Sequence, residues 1–101
     1  MKAKYLIGIG LDKYVAKALG VEQGAAYSTD WLHGGPIIER EKIEILYFGS
    51  YGNEGEPWEA QGGGDSHYID QYPGDAISGP TPLVAAMRYY VSSKFGEESD
   101  L

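Results

Sequence analysis

The chain contains no cysteine. Disulfides, thiolate nucleophiles and zinc sites with cysteine ligands are therefore excluded. It also lacks long hydrophobic runs, since none approaches the roughly 18 apolar residues that span a bilayer. The apolar stretch from Leu6 to Leu11 is too short and too rich in glycine for a signal peptide. We therefore expect a soluble, intracellular protein with no membrane partner.

Basic side chains are scarce in the second half of the chain. Residues 51–101 carry only Arg88 and Lys94 against nine acids, whereas residues 1–50 balance six basic and six acidic side chains. The net charge of −7 therefore arises in the second half. Such a surface repels phosphate backbones, so we expect no nucleic-acid polymer as a partner. We interpret the acids as a solubilising surface; the alternative is a face that binds a basic host protein.

Length and composition indicate one domain over residues 1–101, because 101 residues with 43% apolar content suffice for a single core. Apolar residues at helical spacing predict a first helix from Leu11 to Leu19, with Gly20 at its C′ position. A last helix is also predicted, with Thr81 as its N-cap and Pro82 as its first residue. Gly96 ends this helix, and residues 97–101 are predicted to be a frayed tail.

The central segment allows two interpretations. Ser28, Thr29 and Asp30 are successive N-cap candidates, but Gly34-Gly35 and Pro36 then interrupt the helical pattern. Either a single turn at Thr29–His33 stops and a second helix starts with Pro36, or one kinked helix runs through. We predict the first, because the glycine pair makes a break inexpensive.

Alternation from Ile43 to Phe48 predicts a strand, and Trp58-Glu59-Ala60 predicts a second strand antiparallel to it. The glycine- and tyrosine-rich residues 49–78 between and after these strands are predicted to be a variable loop region, in which residues 65–77 form a loop or a short irregular strand. Together the elements predict an α+β fold. It consists of a small antiparallel sheet flanked by an N-terminal helix, a short central helix and a long C-terminal helix.

No residue pattern indicates catalysis. Ser28 or Thr29 with Asp30 and His33 supplies the residue types of a nucleophilic triad, but helix capping accounts for the same residues. Asp65, His67 and Asp70 offer metal-ligating atoms without any dedicated spacing. We therefore predict no catalytic residues, no metal and no cofactor, and a nucleotide hydrolase ranks third among the functional hypotheses.

Aromatic residues with polar tips are abundant, since nine tyrosines and two tryptophans make up eleven of the thirteen aromatics. Such side chains stack on ligands and donate hydrogen bonds. Helix N-termini predicted beside Gly35 and Gly79 would add free N–H groups and a positive dipole end. The predicted ligand-binding residues are Tyr27, Gly35, Trp58, Tyr68, Gly79, Thr81 and Arg88.

Two segments carry a family resemblance: Tyr27-Ser28-Thr29-Asp30-Trp31-Leu32-His33-Gly34-Gly35-Pro36-Ile37-Ile38-Glu39-Arg40 and Gly79-Pro80-Thr81-Pro82-Leu83-Val84-Ala85-Ala86-Met87-Arg88. They resemble the NinX-like proteins of lambdoid phages and, more broadly, phage alpha-beta-alpha sandwich domains. The resemblance implies a phage origin, strands flanked by helices, and residence in the cytoplasm of an infected bacterium. It brings no catalytic residues, and residues 42–77 depart from the family pattern.

These observations lead to one functional hypothesis and one alternative. The hypothesis is a non-enzymatic phage accessory protein, a homo-oligomer, that sequesters a small anionic ligand such as a nucleotide signal of host defence. The alternative is an acidic interaction module that inhibits a host factor.

Overall fold

The computed structural model describes residues 1–22, 24–52, 54–62, 76–96 and 100–101. Three helices and three strands are described, with short 3-10 turns at Ala3–Tyr5 and Gly49–Tyr51. In chain order they are α1 (Gly8–Leu19), α2 (Trp31–Glu41), β1 (Ile43–Tyr47), β2 (Trp58–Gly62), β3 (Ile77–Gly79) and α3 (Pro82–Phe95). This arrangement confirms the α+β prediction.

The described strands form one antiparallel sheet in the order β1-β2-β3. Ile45 pairs with Ala60, which pairs in turn with Ile77, so the three side chains share one face of the sheet. That face packs against α3, which contacts all three strands. The predicted β1 and β2 and their antiparallel pairing are confirmed. Strand β3 overlaps the predicted loop or short irregular strand only at Ile77, because its other two residues run directly into the capping signal of the next helix.

Helix α3 is the central element of the core. It begins at Pro82, where the Thr81 hydroxyl accepts a hydrogen bond from the N–H of Val84 at 3.1 Å, and it ends before Gly96. The predicted last helix is thus confirmed at both ends. Nine of its residues are buried, on nearly all sides of the helix: Leu83, Val84, Ala85, Ala86, Met87, Arg88, Tyr90, Val91 and Ser92.

Helix α1 packs against α3 through buried Leu11, Val15 and Ala16. It starts at Gly8, three residues before the predicted start, and ends at Leu19 as predicted. Gly20 has a φ of 77° and its N–H bonds back to the last turn, which is the left-handed C-cap that the sequence indicated.

Helix α2 corrects one prediction. It is a single helix from Trp31 to Glu41 with Pro36 inside it, so the predicted break and restart at Pro36 are wrong. Asp30 is the N-cap, and its carboxylate accepts a hydrogen bond from the N–H of Leu32 at 2.9 Å. Pro36 removes one intrahelical donor, but burial of Gly34 and Ile37 keeps the helix continuous. Tertiary packing outweighs the local break signal here.

The two neighbouring glycines of α2 are predicted to respond oppositely to substitution. A Cβ on Gly34 would meet the carbonyl oxygen of Tyr27 and lie 2.6 Å from Cδ2 of Leu83, whereas a Cβ on Gly35 would meet only the Trp31 ring at 3.9 Å. We expect Gly34→Ala to lower the free energy of unfolding by about 2 kcal/mol or more. Gly35→Ala should raise it by up to about 1 kcal/mol, because alanine favours a helix interior.

Urea unfolding of both variants measures these changes. Equal destabilisation by the two substitutions would contradict the close approach of α2 to Tyr27 and Leu83.

Candidate functional site

Arg88, a predicted ligand-binding residue, lies inside the protein with only 4% of its surface exposed. Its Nε donates to the carbonyl oxygen of Leu6 at 2.8 Å, and Nη1 donates to the carbonyl oxygen of Ser78 at 3.0 Å. Nη1 also donates to Oε2 of Glu56 at 2.7 Å. The guanidinium is therefore directed at the protein's own carboxylate and carbonyl groups.

Trp58 and Gly79 are brought together, because they pair across β2 and β3. The Trp58 ring packs against Tyr47 with ring centroids 4.7 Å apart, and it is partly buried. A Cβ on Gly79 would lie 2.5 Å from the backbone nitrogen of Ala85, so the glycine permits β3 to approach α3 closely. In this structure Gly79 serves packing rather than the start of a helix.

The remaining predicted residues are dispersed. Tyr27 is buried, with its ring edge-on to His33 at 6.3 Å. Gly35 lies in the interior of α2, so the helix N-terminus expected beside it is absent. Tyr68 lies outside the described residues, as do Asp65, His67 and Asp70. Thr81 caps α3 and lines a surface groove.

This groove, here called the helix-end groove, has a volume of about 400 Å³. Three stretches of chain line it: Ile7-Gly8, then Ser28-Thr29 with Trp31, and residues 80–84. Each stretch contains the start of a helix, since α1 begins at Gly8, α2 at Trp31 and α3 at Pro82. The N-termini of all three described helices therefore converge on one groove.

Helix N-termini present unpaired N–H groups and a partial positive charge. Asp30 caps α2 and Thr81 caps α3, but no side chain caps α1, whose N-cap is Ile7. None of the three helices has an acidic residue in its first turn. The first turn of α1 is thus the least satisfied of the three, and Gly8 brings its backbone to the groove.

Ser28, which also lines the helix-end groove, has a buried polar side-chain atom. It is 1% exposed, and its hydroxyl oxygen has no hydrogen-bond partner among the described residues. Its backbone N–H donates to Oδ1 of Asp12 at 2.8 Å, which fixes the residue against α1. An unpaired buried hydroxyl costs about 1–3 kcal/mol, so a ligand group that bonded to it would recover that energy.

Among the described residues, no ionisable side chain lines the helix-end groove, although the net charge of the chain is −7. The two carboxylates nearest in sequence are Asp12 and Asp30, and both accept hydrogen bonds from backbone N–H groups. The groove's polar character therefore comes from backbone dipoles and hydroxyl groups rather than from side-chain charge.

A larger groove of about 690 Å³ lies between α1 and the segment that follows it. Its charged lining residues among those described are Asp12, Lys13, Lys17 and Glu22, whose formal charges cancel. The only buried side-chain polar atom without a partner in the described chain is the hydroxyl of Ser28, a residue that lines the helix-end groove. The helix-end groove is therefore the stronger candidate site.

One family model matches residues 25–94, and its description is "Bacteriophage P22, NinX". The chain belongs to this NinX family. It is accordingly a phage protein, as the sequence motifs indicated, and the family description names no reaction or ligand. No curated protein matches the chain. The matched region contains α2, the sheet and most of α3, but it excludes Ile7 and Gly8 of the groove.

Two further features of the described residues bear on function. They contain no group of three or more histidine, aspartate or glutamate side chains that could hold a metal ion. They also contain no helix long and apolar enough to cross a membrane.

Thr81 lines the groove and was among the predicted ligand-binding residues. Four other groove residues were not: Ile7, Gly8, Ser28 and Trp31. Ser28 was interpreted as a helix cap, whereas Asp30 caps α2. Trp31 is 53% exposed. The sequence did single out Ser28 indirectly, because Ser28, Thr29 and Asp30 are all N-cap candidates and α2 needs only one. The convergence of three helix starts depends on tertiary structure and has no local signal.

Glu56, the partner of Arg88, predicts a pH dependence of stability. Burial raises the pKa of Glu56, but hydrogen bonds from Arg88 and Ser78 outweigh burial and hold this pKa below the ordinary 4.5. A lowered pKa in the folded state stabilises the fold above pH 4.5, and this stabilisation is lost as the pH falls through the lowered value. Glu56→Gln should therefore reduce the loss of stability below pH 4.5.

Urea unfolding of both proteins across that range measures the effect. Glu54→Gln is the control, because Glu54 is an exposed carboxylate of the same loop. If Glu56→Gln and the native protein lose stability in parallel, the ion pair makes no contribution to the acid sensitivity.

Proposed function

We propose that this phage protein binds a small anionic ligand with a planar aromatic group, such as a signalling nucleotide, in the helix-end groove. The observation that carries the proposal is the unpaired Ser28 hydroxyl, buried where three helix N-termini meet. Backbone N–H groups at helix starts are common binding sites for phosphate groups. A volume of about 400 Å³ is also within the range of small-molecule sites.

Trp31 is the proposed stacking partner for the aromatic part of the ligand. It lines the groove and is 53% exposed, so the side chain is available for stacking on a ligand. Trp58, which the sequence suggested for this role, is already packed against Tyr47. The first turn of α1 would then bind the anionic part, and Thr81 would lie beside it.

Binding without turnover suits this groove better than catalysis. General acid–base chemistry requires a titratable group within reach of the ligand, and none lines the groove in the described chain. A phage protein that holds a nucleotide signal without consuming it would lower the free concentration of that signal. We therefore propose sequestration of a host-defence signal, in the cytoplasm of the infected bacterium, as the biological role.

The acidic interaction module stays an alternative prediction. Nine carboxylates follow Tyr51 in the sequence, of which Glu54, Glu56, Glu59 and Asp100 lie in the described residues. Glu56 pairs with Arg88, and Asp100 pairs with the N-terminal ammonium group. Half of these four carboxylates are thus engaged within the chain, so no observation favours an acidic binding face over the groove.

Two single-tryptophan variants test the proposed site. The chain has two tryptophans, so Trp58→Phe leaves only the groove indole and Trp31→Phe leaves only the sheet indole. Nucleotides, cyclic dinucleotides and ADP-ribose derivatives are first screened by thermal melting, where a thousandfold excess over Kd should add about 4 kcal/mol. A ligand found in this way should quench Trp58→Phe and leave the emission of Trp31→Phe unchanged.

Recovery of the ligand unchanged after incubation would support sequestration. Quenching confined to Trp31→Phe would move the site to the sheet, and no stabilisation by any member of the panel would contradict the proposal for those ligands.

Ser28→Ala separates a binding role from a structural one. Because the hydroxyl has no partner, its removal should leave the melting temperature of the free protein unchanged or raised. Loss of one hydrogen bond to the ligand should weaken binding by about tenfold. Isothermal titration with the ligand from the panel measures this change. Lowered stability with unchanged affinity would show that the hydroxyl serves the fold.

A further inference from the structure

Strand β1 has one edge paired with β2 and one edge unpaired in the described part of the chain. An unpaired edge presents N–H and C=O groups that another strand can bind. Proteins usually protect such an edge with proline, lysine or a bulge. The five residues of β1 are Ile43, Glu44, Ile45, Leu46 and Tyr47, which include neither proline nor lysine.

The register of the sheet identifies which backbone groups point outwards. The N–H of Phe48 donates to the carbonyl oxygen of Pro57 at 2.8 Å, so this pair is hydrogen-bonded. Hydrogen-bonded and non-hydrogen-bonded pairs alternate along an antiparallel ladder. Leu46 and Glu44 therefore direct their backbone groups at β2. The backbone groups of Ile43, Ile45 and Tyr47 point to the unpaired edge.

We propose that β1 pairs antiparallel with β1 of a second copy of this chain, about a two-fold axis at Ile45. In this register Ile45 faces the partner's Ile45, and Ile43 faces the partner's Tyr47. All three are outward-pointing residues, so every outward N–H and C=O of β1 gains a partner. Registers centred on Glu44 or Leu46 leave an end of the strand opposite a helix or a turn and form fewer hydrogen bonds.

Charge also favours this register. Glu44 is the only charged residue of β1, and it faces the partner's Leu46 rather than the partner's Glu44. A register centred on Glu44 would instead set two carboxylates against each other, which is unfavourable. The proposed pairing would join two sheets into one of six strands, with α3 of both copies on the same face. Leu46, Tyr47 and Phe48, which are exposed in the single chain, would lie at the junction.

The dimer is independent of the proposed ligand site, because no residue of β1 lines the helix-end groove. Failure of either proposal therefore leaves the other standing.

A pair of charge substitutions at Leu46 tests the dimer and its register. Leu46→Glu sets a second carboxylate opposite Glu44 at two symmetric places, and we expect the dimer dissociation constant to rise by about tenfold or more. Leu46→Lys removes the same apolar side chain but sets an ammonium group opposite Glu44, so the dimer should persist. Sedimentation equilibrium of the native protein and both variants measures the dissociation constants.

A double substitution should restore the dimer that Leu46→Glu weakens. Leu46 also pairs with Glu59 inside its own sheet, so Leu46→Glu can weaken the fold as well as the dimer. Adding Glu44→Lys leaves that internal repulsion in place but restores an opposite charge across the proposed dimer axis. The dimer should therefore return. Leu32→Glu, an exposed apolar-to-acid change on α2, is the control and should not alter the dissociation constant.

A native protein that stays monomeric at all concentrations would overturn the proposal. So would equal weakening by Leu46→Glu and Leu46→Lys, or a double variant that stays dissociated.

Discussion

The guanidinium of Arg88 bonds to three segments that are far apart in sequence: the turn at Leu6, the loop at Glu56 and strand β3 at Ser78. A guanidinium has five fixed N–H donors, so it can join several acceptors at once in a defined geometry. A buried arginine without such partners would be strongly unfavourable. The position of the first segment, and hence the start of α1, therefore depends on α3 through this side chain. Because the starts of α1 and α3 both border the helix-end groove, the same constraint shapes the candidate site.

Local signals predicted most of the elements. The Thr81-Pro82 start of α3, the Gly20 end of α1 and the alternation of β1 each depend on contacts within a few residues, so sequence spacing is sufficient to recognise them. Helix α2 shows the limit of such signals. Gly35 and Pro36 predicted a break, but the packing of Gly34 against Tyr27 and Leu83 is a long-range contact that no local pattern contains. The three residues of β3 likewise become a strand only because β2 lies beside them.

The candidate site was less predictable than the fold, for the same physical reason. A groove made by three helix starts requires knowledge of how the helices meet, and the sequence supplies only where each one begins. Arg88 illustrates the difference: its charge suggested an anionic ligand, whereas Glu56 of the same chain is the anion that it binds. Thr81 was predicted because helix capping and groove lining coincide there. Tyr68 and the possible ligating residues Asp65, His67 and Asp70 lie outside the described residues, so those predictions are unchanged.

The central position of α3 also has a consequence for synthesis on the ribosome. Helix α3 follows the three described strands in sequence, yet it contacts all three of them and binds Leu6 through a residue 82 positions away. A nascent chain that has emerged only as far as β3 therefore has no partner for the apolar side of its strands. Its core can close only after the α3 segment leaves the exit tunnel, so the sheet cannot fold stepwise as its strands emerge. Until then the strands stay exposed to chaperones and to other nascent chains.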